Sequence, residues 1–129
     1  MDLKLIRLEL ARTQQFPEGN ANHGFELVAP LDTEGRLGAA AWRTAPGLCG
    51  VRRFAPDEDD EHGRLIRTRN RGWAFSYRLG EEDDEPIYRL AEHRFRAGDY
   101  VSITEHDGQT RPFRVVSVRP WPPTKRAKV

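Results

Sequence analysis

The chain is poor in the residues that staple or anchor small proteins. One cysteine, Cys49, stands in 129 residues, which excludes an intrachain disulfide scaffold and any zinc site built on clustered cysteines. Three of the 21 basic residues are lysine (Lys4, Lys125, Lys128), and the other 18 are arginine. No run of 18 apolar residues occurs, so no membrane-spanning helix is expected. Met1-Asp2-Leu3-Lys4 lacks the basic, apolar and small-residue order of a secretory leader. No phosphate-binding glycine loop, GxGxxG, HExxH, GxSxG or CxxC is present. The reading is a small soluble cytoplasmic protein, one domain over 1–119 and an extended or disordered Pro-rich basic tail over 120–129, with no cofactor and no motif that would make it an enzyme.

What is present is charge, unevenly placed. The formal net charge is +1. Half of the 20 acids lie in two runs, Asp57-Glu58-Asp59-Asp60-Glu61 and Glu81-Glu82-Asp83-Asp84-Glu85. Without them the chain has 21 positive and 10 negative side chains. Between the runs, Gly63 to Gly80 holds Arg64, Arg67, Arg69, Arg71 and Arg78 and no acid. Like-charged runs repel themselves and are expected as solvated loops that screen this Arg-rich segment.

Apolar side chains recur with a period of two. Ile6, Leu8 and Leu10 face one way within Leu3 to Thr13, and Arg7, Glu9 and Ala11 the other. Gly24 to Leu31, Leu48 to Phe54, Arg64 to Arg69, Gly72 to Leu79, Ile87 to Leu90, Tyr100 to Glu105 and Pro112 to Arg119 read as further strands. Asn70, Gly72 and Asp107-Gly108 supply turn chemistry for two hairpins. Gln14 to His23 reads as a loop, and 37–44, with Ala39-Ala40-Ala41-Trp42, as one short helix ended by Pro46-Gly47. The expectation is a mainly all-β chain: an antiparallel β-barrel, with the SH3-like form among the options, or a small sandwich.

Leu5-Ile6-Arg7-Leu8-Glu9-Leu10-Ala11-Arg12, Val51-Arg52-Arg53-Phe54 with Asp59-Asp60-Glu61-His62-Gly63, and Gly98-Asp99-Tyr100-Val101-Ser102-Ile103 with Phe113-Arg114-Val115-Val116-Ser117-Val118 resemble a family of small uncharacterised alphaproteobacterial proteins. The resemblance covers most of the chain except the tail. It implies a bacterial cytoplasmic protein and carries no activity. Gly98 to Ile103 is also similar to the G-D-x-V strand entry of SH3-like barrels.

Three functions fit the residues. Guanidinium groups pair bidentately with carboxylates, so Arg52, Arg53, Arg64 and Arg67 suit a protein partner or the acidic runs of a second copy. Arg64, Arg67, Arg69 and Arg71 interleaved with Trp73, Phe75 and Tyr77 have the charge and rings that single-stranded nucleic acid needs. Strict alternation instead makes the rings core and the arginines the wet face, and the acidic runs would repel phosphate. A small enzyme or ligand carrier would place Asp99, Glu105, His93 and His106 at strand ends. His62 with Asp59 and Asp60 is the weak metal candidate; the calcium-loop register puts Arg69 where a bidentate Glu belongs. Cys49 reads as a small core residue.

Overall fold

The computed structural model describes residues 2–69, 72–77, 85–87, 94–105 and 107–122, with 85–87 as backbone alone. Its strands are β1 (Leu3–Leu10), β2 (Asn20–Pro30), β3 (Gly50–Phe54), β4 (Glu61–Arg67), β5 (Trp73–Ser76), β6 (Glu85–Ile87), β7 (Tyr100–Thr104) and β8 (Thr110–Pro120). Each pairs antiparallel with the next, and β8 pairs with β1, so the sheet closes as an up-and-down barrel. Closure leaves β1 paired on both edges along nearly its whole length. The barrel is the form taken, and the sandwich is not.

The period-two pattern decides which side chains fill the interior. Ile6, Leu8, Phe25, Leu27, Leu65, Phe75, Val101, Ile103, Phe113 and Val115 are all buried. Phe25 lies at the centre, 4.9 Å from the Phe75 ring and 5.1 Å, edge-on, from Phe113. Eight strands make a lumen that side chains can fill, and these rings fill it. Each large side chain so buried contributes about 1.5–3 kcal/mol.

The helix α1 (Ala39–Thr44) is shorter than the expected 37–44, and Pro46 does not simply end it. Pro46 opens a 3-10 turn, Pro46–Leu48, because its fixed φ suits a first helical position. Six residues without a side-chain cap cannot hold a helix alone. Trp42 holds it: its Nε1 donates to the Leu65 carbonyl at 2.9 Å and its ring meets Trp73 edge-on at 5.7 Å. Phe95 closes the same end, its N–H on the Gly35 carbonyl.

Several strand ends differ from the expected ones, and the last residue of each acidic run expected as loop, Glu61 and Glu85, opens a strand, β4 and β6. β2 starts at Asn20, inside the stretch read as loop, because a bulge between Glu9 and Leu10 brings Leu10 opposite Asn20. At that irregularity the strands come so close that a Cβ on Gly24 would lie 1.9 Å from the Leu8 carbonyl oxygen. At the other end, β8 runs through Pro120, and the Trp121 N–H donates to Leu3, so the barrel includes the first residues read as tail. Residues 123–129 lie outside the described residues.

Candidate functional site

One rung beyond the Phe25–Phe113 layer, the inward positions turn polar. His23 precedes Phe25 on β2, Arg53 follows Val51 on β3, Glu105 follows Ile103 after β7, and Arg111 precedes Phe113 on β8. All four share the parity of the buried apolar side chains, so strand geometry points them into the barrel mouth. There they meet. Glu105 is 2% exposed and Arg53 5%.

The Glu105 carboxylate accepts from Arg53 Nε at 3.0 Å and Nη2 at 2.8 Å, both on Oε2, and from Arg111 Nη1 at 2.8 Å on Oε1. His23 Nε2 lies 2.9 and 3.0 Å from the two carboxylate oxygens. Facing only acceptors, Nε2 is the protonated nitrogen. The His23 ring rests edge-on against Phe113 at 5.7 Å. Arg53 also reaches Glu58 at 3.4 Å, and Arg111 reaches Asp107 at 2.7 Å.

Burial alone would raise the Glu105 pKa. The hydrogen bonds from His23 and Arg53, and then their charges, outweigh it and hold the carboxyl below its ordinary value. With its acceptor positions taken, Glu105 is a fixed anion that knits β2, β3, β7 and β8 together. It has neither the proton of a general acid nor the open lone pair of a general base.

A second row crosses the outside of the barrel. Arg7, Glu26, Arg52 and His62 stand opposite one another on β1 to β4. Glu26 pairs with both Arg7 and Arg52, and Arg52 reaches Asp60 at 2.7 Å. Phe54 lies beneath, with the Arg7 guanidinium 4.5 Å and the Arg52 guanidinium 4.9 Å from its ring centre. The first acidic run therefore folds back on β3. Asp60 takes Arg52 and Glu58 takes Arg53, whereas the sequence reading aimed the run at the Arg64–Arg78 segment. The β3–β4 connection is short enough to make that the nearer partner.

Next to this row lies a groove of about 520 Å³, lined by Leu5, Val28, Leu48, Gly50, Arg52, His62 and Trp121 among others. Leu5 and Val28 face each other across β1 and β2, and Gly50 offers no side chain. Leu48 stands beside it, 49% exposed.

No protein-family model, curated protein or solved structure matches the chain.

The arginine and aromatic candidates separate. Arg52 and Arg53 are held by acids of their own chain. Arg64 and Arg69 are exposed. Arg67 lies over the Trp73 ring at 4.9 Å, and Trp73 is 3% exposed. Tyr77 is half-buried on β5's continuation, close to Gly63. Arg71, His93 and His106 lie outside the described residues. Among the described residues no three His, Cys, Asp or Glu side chains are placed to hold a metal, and Asp60, from the group with Asp59 and His62, turns to Arg52. Arg111 was not singled out by sequence, and His23 looked like one dispersed histidine. The signal was there in the alternation: at 23, 53, 105 and 111 the inward pattern continues with charged or polar residues.

Proposed function

We propose that the chain is a protein-interaction module whose docking surface is the outer groove at Leu48 and Trp121, and that it takes a second copy of itself. The observation that carries this reading is Leu48, 49% exposed beside a groove walled by Leu5, Val28 and Trp121. A two-fold interface needs knob and hole on one patch, and this patch has both. The paired arginines argue for the same surface: Arg52 and Arg53 are already answered by Asp60, Glu58 and Glu105, so an interface based on their charge has little left to gain. Glu26, Arg52 and His62 form a polar rim that would fix orientation. The nucleic-acid alternative draws no support from Trp73, whose ring is covered.

Sedimentation over a concentration series tests the reading. Association should persist when salt is raised, because apolar contact is not screened. Leu48→Asp, which removes the contact from both halves of the interface, should cost about 3 kcal/mol or more, on the order of a hundredfold in Kd. A wild-type chain that stays monomeric to high concentration, or a dimer indifferent to Leu48→Asp, overturns it.

A further inference from the structure

A different cleft lies on the far side of the β1–β8 seam. On the outer face, Tyr100, Arg114 and Glu9 stand opposite one another across β7, β8 and β1. The chain leaving β1 carries Arg12 along one wall, and Glu18, Gly19 and Asn20 enter β2 along the other. Together they enclose about 380 Å³. We propose that this cleft binds a small phosphate monoester carrying a planar ring, the chemistry of a mononucleotide.

The charges point that way. Arg7, Arg36, Arg52, Arg53 and Arg111 each hold a carboxylate of their own chain. Arg12 and Arg114 are exposed and hold none among the described residues, yet both line this one cleft. Glu9, which stands opposite Arg114 and would be its natural partner, is turned to Arg7 Nε at 2.7 Å. Two open guanidinium forks are suited to the oxygens of a phosphate, which each can meet bidentately.

The ring of the ligand has a place as well. Tyr100 is 57% exposed, one of two large hydrophobics so open among the described residues. Its register position beside Arg114 puts a phenol face next to a phosphate-binding group, the pairing of stacking and charge that nucleotide recognition uses. Asn20 Oδ1 is taken by the Asn22 N–H at 2.8 Å, which leaves its amide nitrogen to donate. The Glu18 carboxylate is exposed and accepts from a sugar hydroxyl or an exocyclic amine. The volume is at the lower end of the roughly 300–1,000 Å³ of small-molecule sites and accommodates one nucleotide unit. The site is independent of the Leu48 groove, so Leu48→Asp should leave it intact.

Calorimetric titration of the full chain at low salt, with adenosine 5′-monophosphate, inorganic phosphate and adenosine as separate probes, decides the matter. The monophosphate should bind saturably and more tightly than either part. Arg12→Gln with Arg114→Gln should weaken it about tenfold or more, since two charged hydrogen-bonding groups are lost. Tyr100→Ala should weaken the monophosphate and leave inorganic phosphate unchanged. All three side chains are exposed, and circular dichroism of each variant checks that its strands are kept. Absence of saturable binding up to roughly 10 mM, where affinity is too weak to matter, overturns the proposal. So does equal affinity for the monophosphate and inorganic phosphate, or binding unaffected by the double arginine variant.

Discussion

Glu105→Ala should be among the most damaging single substitutions in this protein. The carboxylate is 2% exposed and receives Arg53, Arg111 and His23. After its removal, Arg111 keeps Asp107 at 2.7 Å. Arg53 is worse placed. Its side chain is 6% exposed, and the carboxylates of Glu58 at 3.4 Å and Glu61 at 4.0 Å, both open to solvent, make longer contacts than Glu105 does. Stranding one partner of a buried pair costs about 3–5 kcal/mol, a large part of the roughly 5–15 kcal/mol that holds a domain folded. Glu105→Gln keeps the shape and one acceptor, and should lose about 1.5–3 kcal/mol through its charged hydrogen bonds. Arg53→Met with Glu105→Leu removes both charges and should cost less than Glu105→Ala alone, because no buried charge is left over. Urea unfolding followed by tryptophan fluorescence reads all three as midpoint shifts. A loss below about 1 kcal/mol for Glu105→Ala would mean that water already screens the cluster. A joint variant worse than the single one would show that the pair contributes net stability.

The same cluster sets an acid limit. The folded-state pKa of Glu105 is held below its ordinary value, so its contribution is complete above the unfolded-state pKa of about 4.3 and is lost as pH falls through the folded value. Stability should therefore fall in acid for the wild type and fall less steeply for Glu105→Gln, read from urea midpoints across pH 2–6. Gly24→Ala should cost at least the roughly 1–3 kcal/mol of an overpacked core, because its Cβ would meet backbone at 1.9 Å; Gly47→Ala, with open space around it, should leave the melting temperature almost unchanged. Trp42→Phe removes the bond to the Leu65 carbonyl and should destabilise by about 1–2 kcal/mol, seen as a lower thermal midpoint. Cys49 is fully buried and burial raises its thiol pKa, so a disulfide-exchange reagent should label it only on unfolding; rapid labelling of the native chain would contradict its place in the core.

The strands were legible because alternation is a local property. Ile6, Leu8 and Leu10 alternate with Arg7 and Glu9 whatever β1 pairs with, and the Asp107-Gly108 turn is written in four residues. The errors have local causes too. Asn20 to His23 carry turn-forming side chains, but pairing with β1 makes the start of β2 extended. Ala39 to Ala41 raised helix propensity over a wider span than six residues of packing support. Trp73 and Phe75 are buried as their alternation predicts, but parity does not set every arginine apart: Arg67 stands opposite Trp73 on the same face and lies over its ring, and Ala74, expected to face away, is buried too.

The candidate sites are another matter. His23 and Glu105 are 82 residues apart, and Arg53 and Glu105 are 52 apart. Sequence determined that each points inward, since a strand places every second side chain on one face. It could not determine which inward residues share a layer. That depends on the stagger between neighbouring strands and on β8 closing against β1, which are settled by packing Phe25, Phe75 and Phe113 into one lumen. The same holds for Arg12, Arg114 and Tyr100, which line one cleft only because β1, β7 and β8 are neighbours in the closed sheet. Charge content was fixed by the sequence; the choice of which arginines are answered and which remain open belonged to the tertiary structure.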